Sequence, residues 1–73
     1  MQNLPPETPL TADGFDKAIV GTCAATGRII YSVEKMLRIL EREMSPEEAY
    51  EYFDFNILGA YMGEGTPIYM YKI

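Results

Sequence analysis

The strongest nucleophile in this chain is its single cysteine, Cys23, and histidine, the commonest base to activate one, is absent. A nucleophilic dyad needs a proton acceptor within hydrogen-bond reach, so lysine or a carboxylate of raised pKa would have to serve. Only Lys17 and Arg28 lie near Cys23 in sequence, and the surrounding run is apolar. Cys23 is therefore expected to be a small buried hydrophobe. Two carboxylate pairs could do acid–base work. Asp13 and Asp16 flank Phe15, and Glu47 and Glu51 stand one helical turn apart. The first pair reads as turn chemistry, the second as a solvated helix face. One cysteine without histidine cannot build a structural zinc site, and Asp13-Gly14-Phe15-Asp16 lacks the oxygen spacing of a calcium loop. No Walker loop occurs, and Gly63-Glu64-Gly65 is too short to cradle phosphates alone. The residues point to a protein that binds without catalysing, with no metal and no cofactor.

What it would bind with is aromatic. The chain holds six tyrosines and three phenylalanines, too many tyrosines for the core of so thin a domain. Tyr31, Tyr61, Tyr69 and Tyr71 fall on or beside the expected strands, which predicts an aromatic sheet face opposite the helices. Such a face, with polar tips, suits stacking pockets and interfaces. Arg28 follows Thr26-Gly27 at a hairpin tip with no acidic neighbour in sequence, and a guanidinium beside hydroxyls can hold a phosphate. Thr22, Arg28, Tyr31, Tyr61, Thr66 and Tyr69 are thus the expected ligand-binding residues. Asn56, at the margin of an apolar stripe, is expected as a partly buried amide that needs partners.

The elements that must position these residues are legible. Residues 1–10 carry three of the five prolines and no apolar periodicity, so they predict an extended or disordered arm ahead of one domain over 11–73. Thr11-Ala12-Asp13-Gly14 is turn chemistry. Ala18 to Ala24 predicts a strand, Ala25-Thr26-Gly27 a hairpin turn and Arg28 to Tyr31 the returning strand, with Gly21 marking a bulge or close approach. A helix over 12–24 is the competing reading. Ser32 is an N-cap for a helix from Val33 to about Glu43, whose inner stripe is Val33, Met36, Leu37 and Leu40. Ser45-Pro46-Glu47-Glu48 combines a cap, a first-position proline and a capping box. Its helix should run to Leu58 and stop on a left-handed Gly59, with Ala49, Phe53, Ile57 and one of Tyr52 or Asn56 inward. Pro67 belongs at a strand start, and Ile68 to Tyr71 alternates, Ile68 and Met70 on one face, Tyr69 and Tyr71 on the other. The order β-β-α-α-β makes an α+β domain: a three-stranded sheet with an antiparallel helical pair on one face.

Composition sets the partners. A chain of 73 residues buries only about 60% of its unfolded surface, and small scaffolds usually need a staple. With no disulfide or zinc to supply one, and free sheet edges besides, a homo-oligomer is expected. Net charge is −5, and it is local: six acids from Glu41 to Asp54 face Arg42 alone, while the rest balances. Direct nucleic-acid binding is disfavoured for lack of a basic stripe. The first residues resemble no signal peptide, no apolar run is long enough to span a bilayer, and one unpaired cysteine suits a reducing cytoplasm.

The blocks Gly14-Phe15-Asp16-Lys17-Ala18-Ile19-Val20-Gly21, Ser45-Pro46-Glu47-Glu48-Ala49, Tyr52 through Glu64 and Thr66-Pro67-Ile68-Tyr69 are similar to a family of small uncharacterised accessory proteins of tailed bacteriophages. The similarity covers about residues 11–71 and transfers no catalytic residue. It implies a phage accessory protein in the cytoplasm of an infected bacterium, a setting in which such proteins often antagonise host defence. One expectation is a host-defence antagonist that sequesters a small phosphorylated nucleotide messenger in a pocket of a homo-oligomer. The other is an acidic inhibitor that blocks a basic host or defence nucleic-acid-binding protein.

Overall fold

A computed structural model describes residues 11–12, 14–60, 63 and 65–73. The chain forms a small α+β domain in the order β1-β2-α1-α2-β3, with a three-stranded mixed sheet and two helices. The strands are β1 (Ile19–Thr22), β2 (Ile29–Ser32) and β3 (Ile68–Met70), and the helices are α1 (Val33–Leu40) and α2 (Pro46–Tyr52). β2 is central, antiparallel to β1 and parallel to β3. The helical pair makes the parallel crossover between β2 and β3, as a parallel connection requires. The expected arm over 1–10 lies outside the described residues, as do Asp13, Tyr61, Met62 and Glu64.

The hairpin forms where turn chemistry puts it, and a short 3-10 turn, Asp16–Ala18, precedes it in place of the competing long helix. Gly27 takes φ +76°, and Cys23 exchanges backbone bonds across the turn with Gly27 and Arg28. The register slips between Ile19 and Gly21, so the bulge expected at Gly21 is present, with Val20 the extra residue. β1 ends at Thr22, which leaves Cys23 in the turn and half-exposed, not in the apolar strand interior expected for it.

α1 begins as its cap dictates, Lys35 N–H donating to Ser32 Oγ at 3.2 Å. It ends at Leu40, earlier than expected, because Arg42 and Glu43 bond back to Ile39 and Leu40 in tighter three-residue turns. The capping box of α2 is complete: Glu48 N–H donates to Ser45 Oγ, and Ser45 N–H to Glu48 Oε1. Beyond Tyr52 the helix widens into a π turn, Phe53–Leu58. Gly59 closes that turn, its N–H donating to Asp54 O at 3.1 Å. The expected left-handed stop is not found, since Gly59 has φ −78°. Glycine avoids crowding there: a Cβ would stand 3.2 Å from Asp54 O and 3.3 Å from Phe55 O.

The core lies between sheet and helices and consists of Ala18, Tyr31, Val33, Met36 and Phe53, with Tyr69, Leu37, Leu40 and Ile57 packed around it. Ala49 is buried as the helical period requires. Asn56 is exposed, and Tyr52 is 44% exposed. Neither fills the fourth inward position; for Asn56 the cause is the wider π turn, which rotates the residues after Tyr52 away from an ideal 3.6-residue period.

Candidate functional site

The expected aromatic face is on the other side of the sheet. Tyr31 and Tyr69 are register partners on β2 and β3, and their rings stack beneath the helices with centroids 6.1 Å apart. Phe53 of the π turn meets Tyr69 edge-on at 5.7 Å. Tyr31 is fully buried, and its hydroxyl accepts the Ala12 N–H at 2.7 Å. Burial, with the Tyr31 hydroxyl adding to it, pushes the Tyr69 phenol above its ordinary pKa. The placement opposite the helices is thus corrected: the two rings pack with Phe53, Val33 and Met36 in the core. Tyr71 falls beyond the end of β3 and is 58% exposed. Tyr61 lies outside the described residues.

The polar members of the expected set divide. Arg28 and Thr66 are brought together, Arg28 Nη1–H donating to the Thr66 carbonyl at 3.3 Å and Nε–H to Thr26 Oγ1. Thr66 Oγ1 donates to Gly63 O at 2.6 Å. These bonds tie the hairpin turn to the chain entering β3, so the Arg28 guanidinium already has acceptors. Thr22 stands apart, exposed at the end of edge strand β1.

A different constellation occupies the outer side. Because Tyr31 and Tyr69 point to the core, their strand neighbours Ile30, Ser32, Ile68 and Met70 face the other way. Where this face meets α1 and the chain after β3, a hollow of about 520 Å³ opens, lined by Val20, Met70, Ile73, Lys35, Arg38 and Lys72. Lys35 and Arg38 are three apart on α1, hence neighbours on its surface. Lys72 is brought to them by a long-range tie, its backbone N–H donating to Glu34 Oε2 at 3.2 Å. Ser32 Oγ donates to Glu34 Oε1 at 3.3 Å. Glu34 is held below the ordinary carboxylate range, chiefly by its own backbone N–H, then by the Lys72 N–H, Ser32 and Arg38. Its charge is engaged in anchoring the chain after β3.

Half of the chain's six cations therefore line one hollow, beside apolar side chains and a carboxylate already engaged by hydrogen bonds. Chemically this arrangement can hold an anion and cover an apolar body. In the sequence, Lys35 and Arg38 fall outside the inner stripe of Val33, Met36, Leu37 and Leu40. Their i, i+3 spacing was visible, but the approach of Lys72 was not, because it depends on a contact 38 residues apart.

Among the described residues, no base stands beside Cys23. Its thiol pKa is lowered, first by the Thr26 side chain, then by the Thr26 and Ala25 backbone, with Arg28 contributing least. Among the described residues no three acidic or cysteine side chains are placed to share a metal, and no helix is long and apolar enough to cross a membrane. No family model matches the chain, nor does any curated protein or solved structure.

Proposed function

We propose that this protein is a non-enzymatic sequestering protein for a small phosphorylated nucleotide, held at the hollow between α1 and the chain after β3. One observation carries the reading: in a chain of net charge −5, three of six cations converge on a single hollow beside Val20, Met70 and Ile73. Lys35, Arg38 and Lys72 would engage phosphate oxygens through charge-assisted bonds, while Val20, Met70 and Ile73 would cover the base or sugar. Turnover has no support among the described residues, where Cys23 faces hydrogen-bond donors in place of a base. The similarity to small phage proteins makes a host-defence nucleotide messenger the first ligand class to test, with the protein acting as its antagonist in the infected cell.

Thermal-shift and calorimetric titration against cyclic di- and oligonucleotides test the proposal. A ligand that binds only the folded state at a hundred times its Kd stabilises it by about 2.7 kcal/mol, which for so small a domain is a rise of roughly 10 °C or more. Arg38→Ala and Lys72→Ala, both at exposed positions, should remove the shift, and Arg28→Ala should retain it. No shift across the panel at high ligand excess refutes the reading. The rival reading, an acidic inhibitor of a basic host or defence protein, is favoured by the absence of any cation from Glu43 to Tyr71. Charge reversal at Glu47 and Glu51 would abolish that activity and spare nucleotide binding.

A further inference from the structure

Opposite the buried face of the second helix runs an exposed ridge. Ala49 and Phe53, four apart, are fully buried. Glu47, Glu51 and Phe55, also spaced by four, are exposed on the other side, and Phe55 is 81% exposed, more than any other aromatic side chain described. Asp54 stands beside it in sequence and is exposed too. Among the described residues, Glu47, Glu51 and Asp54 have no ion-pair partner. An aromatic ring this open, next to unpaired carboxylates, has the shape of an anchor for a surface of opposite charge. Two such ridges would repel one another, which disfavours a symmetric pairing of like with like.

The chain itself carries the complementary surface. The hollow described above presents Lys35, Arg38 and Lys72 around apolar Val20, Met70 and Ile73, and its volume of about 520 Å³ readily admits a phenyl ring. We infer that a second copy of this chain docks head to tail, its Phe55 entering the hollow while its Glu51 and Asp54 meet the cations. The inference rests on the same hollow as the proposed nucleotide site, so carboxylates of the neighbour and phosphates of the ligand compete for the same three cations. Ligand therefore releases the neighbour. A heterologous contact of this kind repeats into a ring or an open chain, and one aromatic anchor with rim charges makes it a weak contact.

Sedimentation velocity of the full chain, from micromolar to millimolar concentration, reads the association directly. Average mass should rise with concentration and fall as salt screens the exposed charges. Phe55→Ala should weaken association by roughly tenfold or more, the scale of an aromatic anchor. The variants Glu51→Arg with Asp54→Arg, and Lys35→Glu with Arg38→Glu, should each remain monomeric alone. Mixed, they should associate again, because each ridge then finds an opposite hollow. A protein that stays monomeric at millimolar concentration overturns the inference, as does an association that strengthens with salt. So does a mixture of the two variants that fails to associate. Inorganic pyrophosphate separates this inference from the nucleotide proposal. Self-association that pyrophosphate neither binds to nor reverses removes the nucleotide site and leaves the docking intact. Pyrophosphate binding to a monomer does the opposite.

Discussion

Tyr31 and Tyr69 stand opposite each other on parallel strands and stack at 6.1 Å with planes 29° apart, inside the domain. This pair is the centre of the core. It brings β2 and β3 into one apolar layer, gives Phe53 a ring to meet edge-on, and leaves the outer sheet face to smaller aliphatic side chains. The proposed site therefore lies not on an aromatic face but at the cationic hollow.

Removing the Tyr31 hydroxyl tests the tie to the start of the domain. Tyr31→Phe leaves the ring in place and the Ala12 N–H without its acceptor. A loss of about 1 kcal/mol is expected, the usual net worth of a hydrogen bond, measured by urea unfolding at unchanged slope. Tyr69→Ala removes the stack and the Phe53 contact together and should cost about 3–5 kcal/mol, enough to abolish folding in so small a chain.

Gly59→Ala probes the π turn. The added Cβ would press on two backbone oxygens, Asp54 O and Phe55 O, at 3.2 and 3.3 Å, and backbone in a closed turn yields little. A cost of about 1–2 kcal/mol is expected, with hydrogen exchange accelerated at the Gly59 amide. A left-handed glycine would be rescued by asparagine; here Gly59→Asn should be no better than alanine. Equal stability of all three proteins would contradict the turn.

Acid should release the chain after β3. The folded-state pKa of Glu34 lies below its ordinary value, so its contribution to stability is complete above that ordinary value and is lost as pH falls through the lowered one. The stability curve of the native protein should therefore drop more steeply on acidification than that of Glu34→Gln. The amide of Lys72, which donates to Glu34, should lose exchange protection over the same acidic range. Parallel curves for the two proteins would show that Glu34 does not anchor this segment.

Cys23 should alkylate as an activated thiol. Thr26 and the turn amides lower its pKa, and the thiolate is the reactive form. The pH midpoint of iodoacetamide modification should fall below that of a free cysteine, about 8.5. Thr26→Val removes the side-chain hydrogen bond to the thiol and should raise the midpoint. An unchanged midpoint would assign the effect to the backbone alone.

Local chemistry carried most of the fold. Ser45, Pro46 and Glu48 specify a helix start through bonds made within four residues, and they form it as read. Ser32 does the same for α1, and Gly27 and the bulge before Gly21 shape the hairpin. The period of two put Tyr69 on one side of β3 and Ile68 and Met70 on the other, while Tyr71 lies past the strand end. Alternation states which residues share a face, but it does not state which face meets the helices. That choice was made by Phe53 and Tyr31, which offer the Tyr69 ring more contact than Ile68 or Met70 would find.

The same division holds for the site and for the end of the second helix. Composition, with acids crowded between Glu41 and Asp54, set the charge pattern. The meeting of Lys72 with Lys35 and Arg38, and the π turn that leaves Phe55 in solvent, came only with tertiary structure. The reason is physical. Capping, turns and periodicity are decided by bonds among near neighbours, whereas a hollow exists only after distant segments have closed around it.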